Sequence, residues 1–310
     1  HRFECAAAEL AEVVRAPAHH VPTGADRARV APATVDDLDV VAGRGHLDRC
    51  RRWLTVAGQQ LVTFVGPPAG DPTAAEHGYY FDVVSLHVYF RPETTIDMVE
   101  ATRTTLAGFG LDKPIWINET NAPPYDDPAQ PWEAPVFEVT QDMQASFLLQ
   151  EFALALALDV ERISVYKWVD EPALEPGFEP YGLLRHDRTP RPAYDAFRAI
   201  TTYYAGTTDA VHLARPELQQ VILLRGDETT RVLWSRMPAG LRVSIPAIAP
   251  EALLVDQTGQ AAPLAAQNGY YMLDLPGAPC APETGCLMGG PPLLLVEQGA
   301  PQVDDLAALG

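Results

Sequence analysis

The nine residues Lys-Pro-Ile-Trp-Ile-Asn-Glu-Thr-Asn, from Lys113 to Asn121, pass from apolar to polar with no turn between them. Pro114 has no N–H to give a sheet, so it suits the first residue of a strand and not its middle. Ile115, Trp116 and Ile117 form a short run of β-branched and aromatic residues, the composition of a buried parallel strand. Asn118, Glu119, Thr120 and Asn121 follow at once. An acid at the C-terminal lip of such a strand stands where α/β barrels keep their reacting groups, which makes Glu119 the first candidate.

Working outward, three strand and helix repeats flank this stretch. Phe81 to Tyr89 reads as a strand with His87 and Tyr89 at its C-terminal end. Arg91 to Gly110 reads as a helix, with Pro92 in its first turn, Ile96, Val99 and Leu106 as its apolar face, and Gly108 and Gly110 at its end. After the strand from Lys113 to Glu119 comes a Pro-rich loop, Ala122 to Pro135. Thr140 then caps a helix in which Met143, Phe147, Leu154 and Leu158 recur at helical spacing. Arg162 to Trp168 is a third strand, leading into Asp170 and Glu171, and Pro190 and Pro192 open a helix that stops before Gly206. Strand and helix in alternation define a parallel α/β fold.

Beyond Gly206 the texture becomes all-β. Short apolar runs at Val221–Arg225, Arg231–Ser235, Leu241–Ile245, Ala252–Asp256, Gly269–Leu275 and Pro292–Glu297, separated by turns, fit a β-sandwich. The expected organisation is therefore an irregular or eroded N-terminal segment at 1–72, an incomplete (β/α)8-type barrel portion at 73–206, a β-sandwich at 207–300 entered through a linker from Gly206 to Ala214, and a tail at 301–310. The first segment has eight arginines and no lysine, and only Ala6–Val14 (helix) and Leu61–Val65 (strand) hint at regular structure. Its texture also fits coding sequence read out of frame.

Composition narrows the function. The 310 residues carry a formal charge of -19, and the two lysines are Lys113 and Lys167, so a nucleic-acid or anionic-membrane partner is not expected. No apolar run is long enough to span a bilayer. No cofactor motif is present, and His19-His20 lacks a carboxylate or Cys at ligand spacing, so no metal is expected. Cys5 and Cys50 have no recognisable context. Cys280 and Cys286 bracket a tight Ala-Pro-Glu-Thr-Gly loop and read as a local disulfide, two free thiols being the alternative. A bridge implies an oxidising compartment, hence a secreted or cell-surface protein.

Three consecutive strand ends thus carry His87-x-Tyr89, Glu119 and Trp168. That order resembles the last three strands of the retaining glycoside hydrolases of clan A, near families 39, 51 and 5, from Tyr79 to Glu297. The resemblance implies a (β/α)8 barrel with an accessory β-sandwich and a carbohydrate substrate. It makes Glu119 the nucleophile, with Tyr89 holding it and His87 bonding a sugar hydroxyl. Trp168 would floor the subsite of the cleaved sugar, Asn118 would orient Glu119 or the substrate, and Asn121 and Asp170 would stand at the rim.

The chain departs from that pattern in two respects. The family's acid/base is the Glu of an Asn-Glu pair after the fourth strand, and the Asn-Glu pair here is Asn118-Glu119 itself. Three βα units lie where an eight-unit barrel takes about 250 residues. A nucleophile without its proton donor loses about 10² to 10⁴ in rate, so this chain alone is expected to be nearly inactive. The competing expectations are a non-catalytic carbohydrate-binding protein and a structural remnant.

Overall fold

The computed structural model describes residues 73–301 except 134, 175–177 and 282–284, together with the backbone of one hairpin nearer the N-terminus. That hairpin pairs β1 (Arg52–Val56) antiparallel with β2 (Gln59–Thr63), Arg52 opposite Thr63, inside the stretch expected to be irregular. The arguable helix at 6–14, the His19-His20 pair, Cys5, Cys50 and the tail at 302–310 lie outside the described residues.

The described α/β elements are β3 (Val84–Tyr89), α1 (Thr94–Gly108), β4 (Ile115–Asn121), α2 (Gln141–Ala157), β5 (Arg162–Val165) and α3 (Pro192–Tyr203). The strands form one sheet in the order β3-β4-β5. Backbone bonds from Val84 to Pro114 and from Phe90 to Asn121 advance in the same direction, as parallel pairing requires. Each expected element is present with shorter or shifted ends. The strand expected to reach Trp168 leaves β4 after Tyr166, whose N–H still donates to Thr120. Lys167 and Trp168 then offer their carbonyls to Leu183 and Leu184 of the returning chain.

By compactness the described residues divide into two units, one including 73–86 and 97–116, the other including 87–96, 117–133, 135–174, 179–281 and 285–301. In the first, α1 buries Met98, Val99 and Leu106, and Lys113 Nζ sits 5.2 Å from the centre of the Phe81 ring.

The second unit has a single apolar spine, α2. Thr140 caps it as the sequence predicts, its hydroxyl accepting from Met143 N at 3.1 Å. Phe147, Leu148, Leu149 and Leu154 are wholly buried, and Phe152 meets Phe197 of α3 edge to face. The β elements are β6 (Asp209–Ala214), β7 (Leu218–Arg225), β8 (Glu228–Ser235), β9 (Leu241–Pro246), β10 (Glu251–Val255), β11 (Ala261–Ala265), β12 (Tyr270–Leu275), β13 (Cys280–Ala281), β14 (Gly285–Cys286) and β15 (Leu293–Gln298). Six of them form a sheet in the order β11-β10-β15-β8-β7-β6.

Two-residue alternation splits that sheet's side chains between two cores. Val221, Leu223, Val232, Trp234, Leu294 and Val296 join the helical core, while Leu233 and Leu295 join Ile245, Tyr271 and Leu273 of the β9-β12 pair. The middle strands therefore carry unbroken apolar runs, Val221–Leu224, Val232–Trp234 and Leu293–Val296. The linker expected from Gly206 to Ala214 is instead mostly β6, an edge strand paired along its whole length with β7. Asp-Ala-Val-His-Leu-Ala has too little apolar weight to declare itself; β7 supplies the template. Cys280 and Cys286 face each other across β13 and β14 and are joined in a disulfide.

Candidate active site

His87 and Tyr89 stand two residues apart on β3 and so leave the sheet on one face, while Val84, Leu86 and Val88 fill the other and are buried. Next to them β4 carries Glu119, two residues before its end. The Tyr89 hydroxyl donates to Glu119 Oε2 at 2.7 Å, and His87 Nδ1 lies 3.2 Å from the same oxygen. Both His87 and Glu119 keep about a fifth of their side chains exposed (18% and 21%), so the carboxylate is gripped and still reachable. Burial, reinforced by the bond to Glu119, pushes the Tyr89 phenol far above its ordinary value. It therefore stays a donor at any working pH.

Aromatic rings surround this pair. Tyr181 meets Tyr89 edge to face with centroids 5.4 Å apart, and Tyr166 meets Tyr181 likewise at 5.4 Å. Burial raises both phenols, and the Glu119 charge adds to the rise in each. Sequence reasoning did not single out either tyrosine. Tyr166 ends the third strand's paired run, a position available to inspection. Tyr181 comes from a return loop that no periodicity announces.

Four expected site residues are placed differently from their anticipated roles. Trp168 is half exposed (52%), and its ring leans on Tyr194 and Phe197 of α3 with centroids 5.7 and 6.4 Å away. The ring packed on Tyr89 is that of Tyr181, itself backed by Tyr166, because the chain turns away from β4 after Tyr166. Asn118 is exposed, and the alternation of β4 sends it to the face opposite Glu119. Asn121 and Asp170 are inside and not at a rim. Asn121 is wholly buried, because β4 runs on to that residue. Asp170 is buried because its segment folds back on the returning chain, Val169 bridging Leu184.

Asp170 belongs to an ionic knot behind the site. Arg191 donates from Nη1 to Asp170 at 2.6 Å and from Nε to Asp127 at 2.7 Å, and Arg185 Nε reaches the same Asp127 oxygen at 2.8 Å. Both aspartates and Arg191 are fully enclosed. Burial works to raise Asp127, yet the two guanidiniums and Ala129 N hold it below the ordinary carboxylate value. Gly182 completes the knot, its N–H donating to Asp170 at 2.7 Å and its carbonyl accepting from Arg191. A Cβ there would come within 2.4 Å of the Leu184 carbonyl, so only glycine fits.

Among the described residues no group of three or more His, Cys, Asp or Glu is arranged to hold a metal, and no helix is long and apolar enough to cross a membrane.

The fold is similar to that of solved glycoside hydrolases, at low sequence identity. A family 39 glycoside hydrolase from the gut symbiont Bacteroides cellulosilyticus WH2 superposes with a TM-score of 0.53 at 17% identity, over 73% of this chain and 46% of that one. A glucosidase from Croceicoccus marinus matches at 0.48 and 10% identity, over 77% and 60% of the two chains. A family 51 α-L-arabinofuranosidase from Bifidobacterium longum matches at 0.45 and 12%, over 76% and 58%. The chain spans about half the length of the solved structures it matches. No protein-family model matches the sequence, and no curated protein is similar to it in sequence.

Proposed function

We propose that the chain carries the nucleophile half of a retaining glycosidase site, with carbohydrate as substrate and Glu119 as the attacking carboxylate. The segment at 73–206 would be the last three βα units of a (β/α)8 barrel, and 207–300 its accessory sandwich. The observation that carries the reading is the pair of contacts on one Glu119 oxygen, from Tyr89 at 2.7 Å and His87 at 3.2 Å, on a carboxylate that remains partly exposed.

A retaining hydrolase forms a bond from a carboxylate oxygen to the anomeric carbon as the glycosidic C–O bond breaks, and water later releases the sugar. In this scheme Tyr89 fixes the rotation of Glu119. His87, with Nδ1 turned to Glu119, presents Nε2 to a sugar hydroxyl. The phenol rings of Tyr166 and Tyr181 wall the hollow, and Trp168 offers an indole at its edge. No described residue is assigned as the acid/base. The Cys280–Cys286 bridge supports export to an oxidising compartment.

The test is a panel of 2,4-dinitrophenyl glycosides differing in the sugar, whose leaving group departs without a proton donor. At least one should release dinitrophenolate, and Glu119→Gln should slow it roughly 10⁴-fold or more, the scale of losing a nucleophile. Unchanged turnover in the variant removes the assignment. Sugar binding with no release across the panel would make the protein a recognition module instead.

A further inference from the structure

We infer that Asn121 is a positioning residue that ties together the three strand ends around Glu119; its role in the reaction rests on the proposal above, its role in holding the tyrosines does not. Asn121 lies two residues beyond Glu119 on β4 and is wholly buried. Its backbone carbonyl accepts from Phe90 N at 3.2 Å, which anchors the end of β3 directly after Tyr89. Its Nδ2 donates to the carbonyls of Tyr166 at 2.8 Å and Tyr181 at 2.7 Å. Its Oδ1 accepts from Ala122 N at 2.8 Å.

One amide thus uses both its donors on Tyr181, whose ring stands against Tyr89, and on Tyr166, whose ring stands against Tyr181. Gln144, buried on α2, adds a second layer: its Nε2 lies 3.3 Å from Asn121 Oδ1 and 3.2 Å from the Tyr181 carbonyl.

The chemistry of an amide is specific here. Two carbonyls converge on one nitrogen, so the group must donate twice, and at the same time its oxygen must accept from a backbone N–H. A carboxylate of the same shape presents lone pairs to both carbonyls, an arrangement that is costly inside a protein. An aliphatic side chain leaves them without their donor. Neither substitution touches Glu119, Tyr89 or His87 directly. The consequence is displacement of the Tyr166 and Tyr181 rings, and with them the wall against which Tyr89 is oriented. A misplacement near 1 Å at a reacting centre costs roughly 10²-fold in rate.

The experiment uses the full chain labelled with 3-fluorotyrosine, its resonances assigned by single Tyr→Phe replacements. In Asn121→Asp the Tyr166 and Tyr181 resonances are expected to shift, with Tyr270 and Tyr271 on β12 as unmoved controls. In parallel, kcat on the best dinitrophenyl glycoside should fall roughly 10²-fold with KM changed far less. A folded variant with both resonances in place, or with kcat unaltered, overturns the inference.

Should Asn121→Asp fail to fold, Gln144→Ala removes only the second layer and is expected to move Tyr181 more than Tyr166; an unmoved Tyr181 then counts against the role. If the unmodified protein cleaves no glycoside, the glycosidase proposal fails, while the resonances still decide whether Asn121 holds the two tyrosines.

Discussion

Two carboxylate environments occur in this chain, and they are built on opposite principles. Asp127 and Asp170 are sealed in the protein and paired with Arg185 and Arg191, the three guanidinium contacts lying between 2.6 and 2.8 Å. Glu119 is partly exposed and is held by a phenol and an imidazole. A carboxylate locked between guanidiniums is spoken for: its oxygens are screened, crowded and unable to approach a substrate. One restrained by donors on a single oxygen keeps its direction without losing access. The first arrangement holds loops in place; the second suits chemistry.

Substitutions should separate the two environments, and the largest effect belongs to Glu119. Glu119→Gln should remove turnover of an activated glycoside while leaving the thermal midpoint nearly unchanged, since a partly exposed carboxylate is exchanged for an amide of the same shape. Arg191→Leu should do the reverse in kind. It takes the guanidinium from buried Asp170 and leaves buried Asp127 with Arg185 alone, and is expected to cost about 3–5 kcal/mol of folding stability, measured by urea unfolding. Loss of stability in the first variant, or its absence in the second, would break the contrast.

Tyr89→Phe comes next. It deletes one hydrogen bond to a charged group, worth about 1.5–3 kcal/mol. That corresponds to a fall in kcat of roughly 10- to 100-fold, with the chain still folded.

A third carboxyl sharpens the comparison through an effect that builds gradually with pH. Glu151 is buried on α2, with both oxygens within 2.8 Å of the Thr95 hydroxyl. One hydroxyl has one proton to give, so the two short contacts are both satisfied when Glu151 carries a proton of its own. Burial pushes this group up to about 8, against the Thr95 bond and with the nearby Glu93 charge. A raised carboxyl contributes stability that is full below the ordinary value of 4.5 and is lost as pH climbs to about 8. Melting should therefore move down across that window by up to about 1.4 kcal/mol per pH unit. Glu151→Gln should flatten the slope, and an identical slope in the variant would refute the assignment.

The sequence made some of this legible and hid the rest for identifiable reasons. Thr140 announces its helix because a cap is a local device. His87, Tyr89 and Glu119 are readable because strand ends put side chains on predictable faces. Tyr181 was not, since its place against Tyr89 depends on a loop that returns some fifteen residues after Tyr166 and is fixed by Gly182 and Arg191. Asn121 and Asp170 were assigned to a rim because polar residues after an apolar run look like a loop; here β4 continues and the chain beyond β5 folds back over itself. β11 escaped notice because Ala-Ala-Pro-Leu-Ala has little strand propensity, and its Pro263 is tolerated only because the strand lies at the edge of its sheet. Composition alone does not distinguish Glu119 from Glu151; one lies near the end of a strand and the other is buried on a helix.

Trapping tests the central claim most directly. A 2-deoxy-2-fluoro glycosyl fluoride of the sugar preferred in the dinitrophenyl panel forms the covalent intermediate and slows its release, and peptide mass spectrometry then locates the sugar. The account predicts one fluoroglycosyl adduct, on the peptide containing Glu119, absent in Glu119→Gln. An adduct on another carboxylate, or none while the same sugar's dinitrophenyl glycoside is turned over, would contradict it.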